Sequence, residues 1–115
     1  MTTLTESMFI AAANRMAEKV HKIAVDHGWW DKARSNGECV ALIHSELSEA
    51  LEAMRQGELL PDEHVSEFLN VEVELADAII RIMDLAAAQG WRVAEALVAK
   101  VRYNEGREYK HGKRF

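Results

Sequence analysis

A single proline, Pro61, stands in a chain of 115 residues, so almost nothing in this sequence interrupts a helix. Apolar residues recur at spacings of three and four over long stretches, which is the period of an amphipathic helix. The composition is rich in Ala, Leu, Glu and Met, which favour helix. These features predict an all-α, four-helix bundle-like fold that comprises one domain over residues 1–115.

Local signals predict where the four helices begin and end. Thr3 with Glu6, and Ser35 with Glu38, have the S/T-x-x-E spacing of a capping box. Pro61 suits the first turn of the third helix, because the N–H that it lacks is not needed there. We therefore expect helices over about 4–26, 36–56, 62–89 and 92–104, and a glycine ends each of the first three.

Two pairs of acidic residues, Glu46 with Glu49 and Glu74 with Asp77, lie on the second and third helices. A spacing of three puts both carboxylates of a pair on one helix face. Helices joined by a short turn should pack antiparallel, so facing residues have a constant sum of residue numbers. Glu46 with Asp77 and Glu49 with Glu74 have the same sum, so all four carboxylates should face one another. Because oxygen-only ligands favour Mg²⁺ or Mn²⁺, the sequence predicts a divalent-metal site.

The alternative for these carboxylates is a solvated helix surface, and the pattern of the third helix argues against it. Its apolar residues occupy more than one face, which is typical of a helix buried on most sides. A polar stripe runs through it, and such a stripe is costly when buried unless it is paired or ligated. The stripe consists of Asn70, Glu74, Asp77, Arg81 and Asp84. So apolar a helix in so small a domain also predicts a partner subunit, in a homodimer or a dimer of dimers.

The overall charge and the single cysteine narrow the class of protein. A net charge of −5 argues against a protein that coats nucleic acid. The lone Cys39 cannot form an internal disulfide, which indicates a reducing compartment. The N-terminus lacks the pattern of a signal peptide, and no apolar run is long enough to span a membrane. We expect a cytoplasmic protein that binds neither nucleic acid nor membrane.

Further motifs accompany the acidic pairs along most of the chain. They are Gly28-Trp29-Trp30, Leu42 to Ala50, Glu74 to Asp77, Ile80 to Asp84, Lys100-x-x-Tyr103-Asn104-x-x-Arg107 and His111-Gly112-Lys113. With these motifs the chain resembles the MazG-like family of all-α nucleoside triphosphate pyrophosphohydrolases over residues 28–115. Many members of that family have a second Glu before the first acidic pair, where this chain has Ser45. This difference affects none of the four predicted metal ligands.

The resemblance implies hydrolysis of a nucleoside triphosphate to the monophosphate and pyrophosphate, with Mg²⁺ as the cofactor and Mn²⁺ as an alternative. Metal ions held by Glu46, Glu49, Glu74 and Asp77 would bridge phosphate oxygens and lower the pKa of a bound water. Glu46 is the first candidate for the carboxylate that orients or deprotonates the attacking water. Glu49 and Asp77 are the next candidates for this catalytic role.

Basic and aromatic residues outside the acidic pairs are candidates for binding the nucleotide. Lys100, Asn104 and Arg107 would share a face if the fourth helix extends that far. Together with Lys113 they could hold the outgoing pyrophosphate, although a basic helix end is also favoured by the helix dipole alone. Trp30 could stack on the nucleotide base or simply cover the core.

Two other functions compete with the hydrolase. Glu18-x-x-His21 matches one half of a di-iron signature, but no second such motif is placed to pair with it. The non-enzymatic alternative is a helical oligomerisation or regulatory module whose acidic cluster is vestigial. Release of pyrophosphate from common nucleotides in the presence of Mg²⁺ would separate this module from an enzyme.

Overall fold

The computed structural model describes residues 2–115, and its regular elements are four α-helices and a short 3₁₀ turn. The elements are α1 Leu4–Asp26, α2 Asn36–Arg55, α3 Asn70–Gln89, α4 Val93–Glu105 and the 3₁₀ turn Tyr109–Gly112. The predicted all-α fold class is therefore confirmed. Within the described residues, no helix is both long enough and apolar enough to cross a membrane.

The starts of α1 and α2 follow the predicted capping signals. Thr3 Oγ1 accepts a hydrogen bond from the Glu6 backbone N–H at 3.1 Å, and Glu6 Oε1 accepts one from the Thr3 N–H at 2.7 Å. Ser35 Oγ likewise accepts from the Glu38 backbone N–H at 3.1 Å. These bonds satisfy N–H groups that the first turn of a helix cannot pair internally.

The start of α3 was predicted wrongly, because the helix begins at Asn70 and not at about Asp62. Asp62 Oδ2 accepts a hydrogen bond from the Val65 backbone N–H at 2.9 Å, which closes a turn. The Asp62 N–H donates to the Phe68 carbonyl and the Asn70 N–H donates to the Leu60 carbonyl, both at 2.8 Å. The loop thus satisfies its backbone groups without helical bonds, and the connection between α2 and α3 is longer than predicted.

Helices that are neighbours in the sequence are not always neighbours in the fold. The most extensive packing joins α2 to α3, α1 lies against α3, and α4 packs against α1. Arg102 of α4 donates from Nε to Glu6 Oε2 at 2.9 Å, and Asn14 of α1 donates to Glu95 Oε1 at 3.1 Å. These polar contacts hold α4 on the side of α1.

The buried core within residues 2–115 is small and consists mainly of short side chains. Its hydrophobic members are Cys39, Ala50, Ala53, Val71, Ala78, Leu85, Ala86 and Ala94. Alanines at the contact between α2 and α3 let the two helix backbones approach closely. The close approach also brings the polar residues beside these alanines into contact across the two helices.

Candidate metal centre and its cleft

Three acidic side chains meet where α2 packs on α3. Carboxylate oxygens of Glu46, Glu74 and Asp77 all lie within 4.8 Å of one another, and Glu46 is only 8% exposed. The spacing of three keeps Glu74 and Asp77 on one face of α3, one turn apart. The juxtaposition of Glu46 with Asp77 that the residue numbers predict is present in the fold.

The fourth predicted ligand, Glu49, lies one turn further along α2 and is exposed. It is close enough to Glu74 to disfavour the ionised form of that carboxyl. Among residues 2–115, however, the group of acidic residues with mutually close oxygens comprises Glu46, Glu74 and Asp77 alone. Glu49 therefore lies at the solvent-exposed margin of this cluster.

Crowding of the carboxyls disfavours their negative charge. Burial, and after it the neighbouring Glu49 carboxyl, raises the pKa of Glu74 to about 7. Burial and then the charge of Glu46 raise the pKa of Asp77, while Arg81 acts in the opposite direction. At neutral pH the cluster therefore holds more negative charge than its surroundings stabilise.

One oxygen of the cluster has no hydrogen-bond partner among residues 2–115. Glu74 Oε2 is buried, and no hydrogen-bond donor of the described residues reaches it. A buried polar atom without a partner is costly, and a cation among these oxygens would remove the cost. The donor set consists of carboxylate oxygens, which suits Mg²⁺, Mn²⁺ or Ca²⁺ better than softer metals. The residues present therefore fit a hard divalent cation.

A cleft of about 400 Å³ opens beside this cluster. Its apolar lining comes largely from α1, through Val20, Ile23 and Ala24. Its polar lining includes Glu46, Asp77, Asp84, Arg34 and Arg81. The exposed ring of Trp29 also lines it. A cavity of this size with one apolar side and convergent charged groups is typical of a small-molecule site.

Arg81 connects the cleft to the acidic cluster. Its Nε donates a hydrogen bond to Glu46 Oε1 at 2.7 Å, in a charge-assisted pair across α2 and α3. The guanidinium partly neutralises the cluster, so this member of the polar stripe on α3 is paired. Arg34 and Trp29 were not singled out in the sequence as site residues, because loop positions carry no periodicity that would place them.

The last residue of the polar stripe, Asp84, anchors a network behind the cleft. Trp30 Nε1 donates to Asp84 Oδ1 at 3.0 Å, and His21 Nδ1 lies 2.8 Å from the same oxygen. The His21 and Trp30 rings meet edge to face, and the Arg34 guanidinium lies 5.0 Å from the Trp30 ring centre. Trp30, predicted either to stack on a base or to cover the core, thus takes part in internal contacts. His21 bonds to Asp84 in this network, and the sequence offers Glu18-x-x-His21 no matching second motif.

The basic residues predicted to hold pyrophosphate lie on α4 and beyond it. Lys100 Nζ is 4.6 Å and the Arg107 guanidinium 5.3 Å from the Tyr103 ring centre, so both cations stack on this ring. The helix ends at Glu105, so Arg107 follows α4 instead of extending its face. Four predicted residues are outside the lining of the cleft: Lys100, Asn104, Arg107 and Lys113. Within one chain these tail residues therefore do not contribute to the cleft.

Compared with protein-family models, with curated proteins and with solved structures, the chain has no match. The likeness to MazG-like proteins accordingly rests on the motifs in the sequence, and the chemistry of the site rests on its geometry.

Proposed function

We propose that this protein is a Mg²⁺-dependent nucleotide pyrophosphohydrolase that cleaves a nucleoside or deoxynucleoside triphosphate to the monophosphate and pyrophosphate. The observation that carries the proposal is the carboxylate cluster of Glu46, Glu74 and Asp77 beside a cleft that also contains arginine side chains. Metal ions and guanidinium groups are two kinds of partner that stabilise the charge of phosphate groups in phosphoryl transfer. The motifs that resemble MazG-like proteins supply the reaction class.

The residues that would hold the metal are Glu46, Glu74 and Asp77, with Glu49 as a further ligand at the exposed margin. Mg²⁺ is the cofactor that we propose, and Mn²⁺ has the same preference for oxygen ligands. When bound, the cation supplies positive charge to the phosphate oxygens and a water of lowered pKa.

Glu46 and Glu49 are the proposed catalytic carboxylates, and their surroundings suit them to different tasks. One oxygen of Glu46 accepts the Arg81 hydrogen bond, which fixes the orientation of this carboxylate. A fixed carboxylate can position an attacking water in line with the phosphorus atom. Glu49 is exposed, so the attacking water can reach it and transfer a proton to it.

We also propose that the protein acts as a homodimer or a dimer of dimers. Helically spaced apolar side chains are exposed on α1, α2 and α3: Leu4, Met8, Met16, Ile23, Leu47, Leu51, Met54, Leu75, Ile79 and Ile82. So much exposed apolar surface is unusual on a monomer, and a second copy would remove it from water. Size-exclusion chromatography with light scattering measures the oligomeric state. A monomer at micromolar concentration would contradict the proposed assembly.

The same apolar surface favours the second candidate, a helical oligomerisation or regulatory module without catalysis. Such a module needs the contacts between copies and does not need the carboxylates. The two candidates therefore differ in whether the acidic cluster has a chemical consequence.

The deciding experiment is a panel of common ribo- and deoxyribonucleoside triphosphates with Mg²⁺, assayed for pyrophosphate release. We expect release from at least one nucleotide, its loss in EDTA, and a strong reduction in Glu49→Gln and Asp77→Asn. An inactive wild-type protein across the whole panel would favour the module. Full activity in both variants would show that the site is assigned to the wrong residues.

A further inference from the structure

Two arginines of the cleft hold more hydrogen-bond donors than the protein satisfies. The Arg34 side chain is only 11% exposed, yet its contacts are loose. Its Nη1 is 3.5 Å from the Trp29 carbonyl, and its Nε is 3.7 Å from the Glu38 carboxylate. A guanidinium has five N–H donors, so most of those of Arg34 have no close acceptor among the described residues.

Arg81 is in a similar position on the other side of the acidic cluster. Its Nε bonds to Glu46, while no acceptor in the described residues is bonded to its two terminal nitrogens. The side chain is about one third exposed and lines the cleft beside Arg34. Both arginines also line a smaller hollow between Trp30 and Leu85. Asp84 lines both this hollow and the cleft.

Arg34 is positioned by contacts with the fold in addition to its loose ion pair with Glu38. The guanidinium lies against the Trp30 ring, whose indole N–H is bonded to Asp84 on α3. Asp84 follows Arg81 by three residues, so both lie on one face of α3. One turn of α3 thus supplies one arginine directly and supports the other through the tryptophan. A supported cation with unpaired donors is suited to bind an anion.

We propose that Arg34 and Arg81 together bind the polyphosphate group of the ligand, with inorganic pyrophosphate as the smallest fragment that they hold. Planar guanidinium groups bind phosphate oxygens through paired N–H bonds, which a single oxygen acceptor in the protein cannot satisfy. The nature of the ligand rests on the proposed nucleotide pyrophosphohydrolase function. The anion site itself rests on the cleft and the unpaired donors.

The test is calorimetric binding of inorganic pyrophosphate, with Mg²⁺ and again with EDTA, to the wild-type protein and to variants. We expect Arg34→Gln and Arg81→Gln each to weaken binding by about tenfold or more, because each loses charge-assisted bonds. Arg34→Lys keeps the charge but loses the planar fork, so its affinity should fall between wild type and Arg34→Gln. The matched control is Arg55→Gln, an exposed arginine at the end of α2, which should bind like wild type.

Thermal unfolding of each variant with and without Mg²⁺ separates anion binding from metal binding. Arg34 makes no contact with the acidic cluster, so the rise in Tm that Mg²⁺ causes should be the same in Arg34→Gln as in wild type. If Arg34→Gln does not fold, the Arg34→Lys and Arg81→Gln variants decide. Wild-type pyrophosphate affinity in these variants, or an equal loss in Arg55→Gln, would overturn the proposal.

This outcome is independent of nucleotide hydrolysis. Pyrophosphate binding that depends on both arginines would stand even if no nucleotide were cleaved. Conversely, hydrolysis with unchanged pyrophosphate affinity in the arginine variants would leave the proposed function intact and remove the anion site.

Discussion

The α2–α3 hairpin and the α4–tail region carry opposite charges, and they differ in whether their charged side chains are clustered and buried. The hairpin brings Glu46, Glu74 and Asp77 within contact distance, and there burial raises the pKa of two of these acids. In the α4–tail region the exposed Lys100 and the half-buried Arg107 lie against the Tyr103 ring. Both regions were predicted from the sequence as parts of one site. Within a single chain, residues of the hairpin line the cleft and those of the tail do not.

The difference shows what helical spacing can and cannot establish. The two acidic pairs lie on helices that are neighbours in sequence, so antiparallel packing is enough to align them. The tail follows α4, which packs on α1 and is held there by contacts such as that between Arg102 and Glu6. No spacing rule relates the tail to the hairpin, and the homodimer that we propose would be one way to join them.

The largest effect should come from removing one carboxylate of the hairpin. We expect Asp77→Asn to lower Mg²⁺-dependent pyrophosphate release by about hundredfold, because a ligand and its charge are lost together. Glu52→Gln, an exposed acid on α2, is the matched control and should change the rate by less than about twofold. Steady-state kinetics at saturating Mg²⁺ provide the measurement. Equal effects of the two substitutions would mean that the clustered acids are no different from surface acids.

A second prediction concerns the pH dependence of stability in the metal-free protein. The pKa of Glu74 is about 7 in the folded protein against 4.5 as its ordinary value. The folded state thus binds the proton more tightly, so stability should fall as the pH rises from about 4.5 to 7. The loss should be on the order of 2 kcal/mol.

Chemical unfolding in EDTA at a series of pH values measures this loss. Glu74→Gln should flatten the profile over that range, while Glu52→Gln should keep the wild-type profile. Mg²⁺ should restore stability at pH 8 more than at pH 5, because the metal binds deprotonated ligands. A Glu74→Gln profile that matches the wild type would contradict the assigned pKa.

The third prediction tests whether the tail completes the site of a second copy. We expect Arg107→Ala to lower activity by about tenfold through a weaker hold on the phosphates. Mixing it with inactive Asp77→Asn should then restore about a quarter of wild-type activity, because in half of the dimers one site receives an intact hairpin and an intact tail. Mixing Asp77→Asn with Glu46→Gln is the control, since both defects lie in the hairpin and no recovery should follow. If activity does not recover in the first mixture, the result would contradict a site shared between two copies.

The last prediction concerns the stability that the network behind the cleft provides. Trp30→Phe keeps an aromatic ring but removes the N–H that donates to Asp84, and we expect a loss of about 1.5 kcal/mol in the free energy of unfolding. Trp91→Phe, an exposed tryptophan before α4, should change stability by less than about 0.5 kcal/mol. Urea unfolding measures both. Weaker nucleotide binding with unchanged stability in Trp30→Phe would instead mark a base-stacking residue.

Much of the fold could be predicted because its signals are local. The capping bonds of Thr3 and Ser35 and the ends of α1 and α2 need only residues within one turn. The start of α3 was predicted wrongly because it does not depend on local signals alone. Pro61 and Asp62 also suit a helix start. The loop is instead closed by a hydrogen bond from the Asn70 N–H to the Leu60 carbonyl, between residues more than one helical turn apart.

The residues of the candidate site likewise differ in whether local sequence patterns predict their positions. The pairing of Glu46 with Asp77 could be predicted, since two helical periods and one antiparallel turn determine it. Arg34 could not, because it lies in a loop and its place depends on Trp30, which in turn depends on Asp84. Such a chain of contacts between three elements leaves no period in the sequence.

By itself, the sequence determined four helices, the caps of the first two, and a face of α2 and a face of α3 that carry acids at matching levels. These follow from steric and hydrogen-bonding preferences that act within a few residues. The tertiary structure alone decided that Glu74 Oε2 is buried with no partner in the described part of the chain, that Arg34 and Arg81 line one cleft, and that the basic tail does not line it. Burial and charge proximity are properties of packing, so they arise only where distant segments meet.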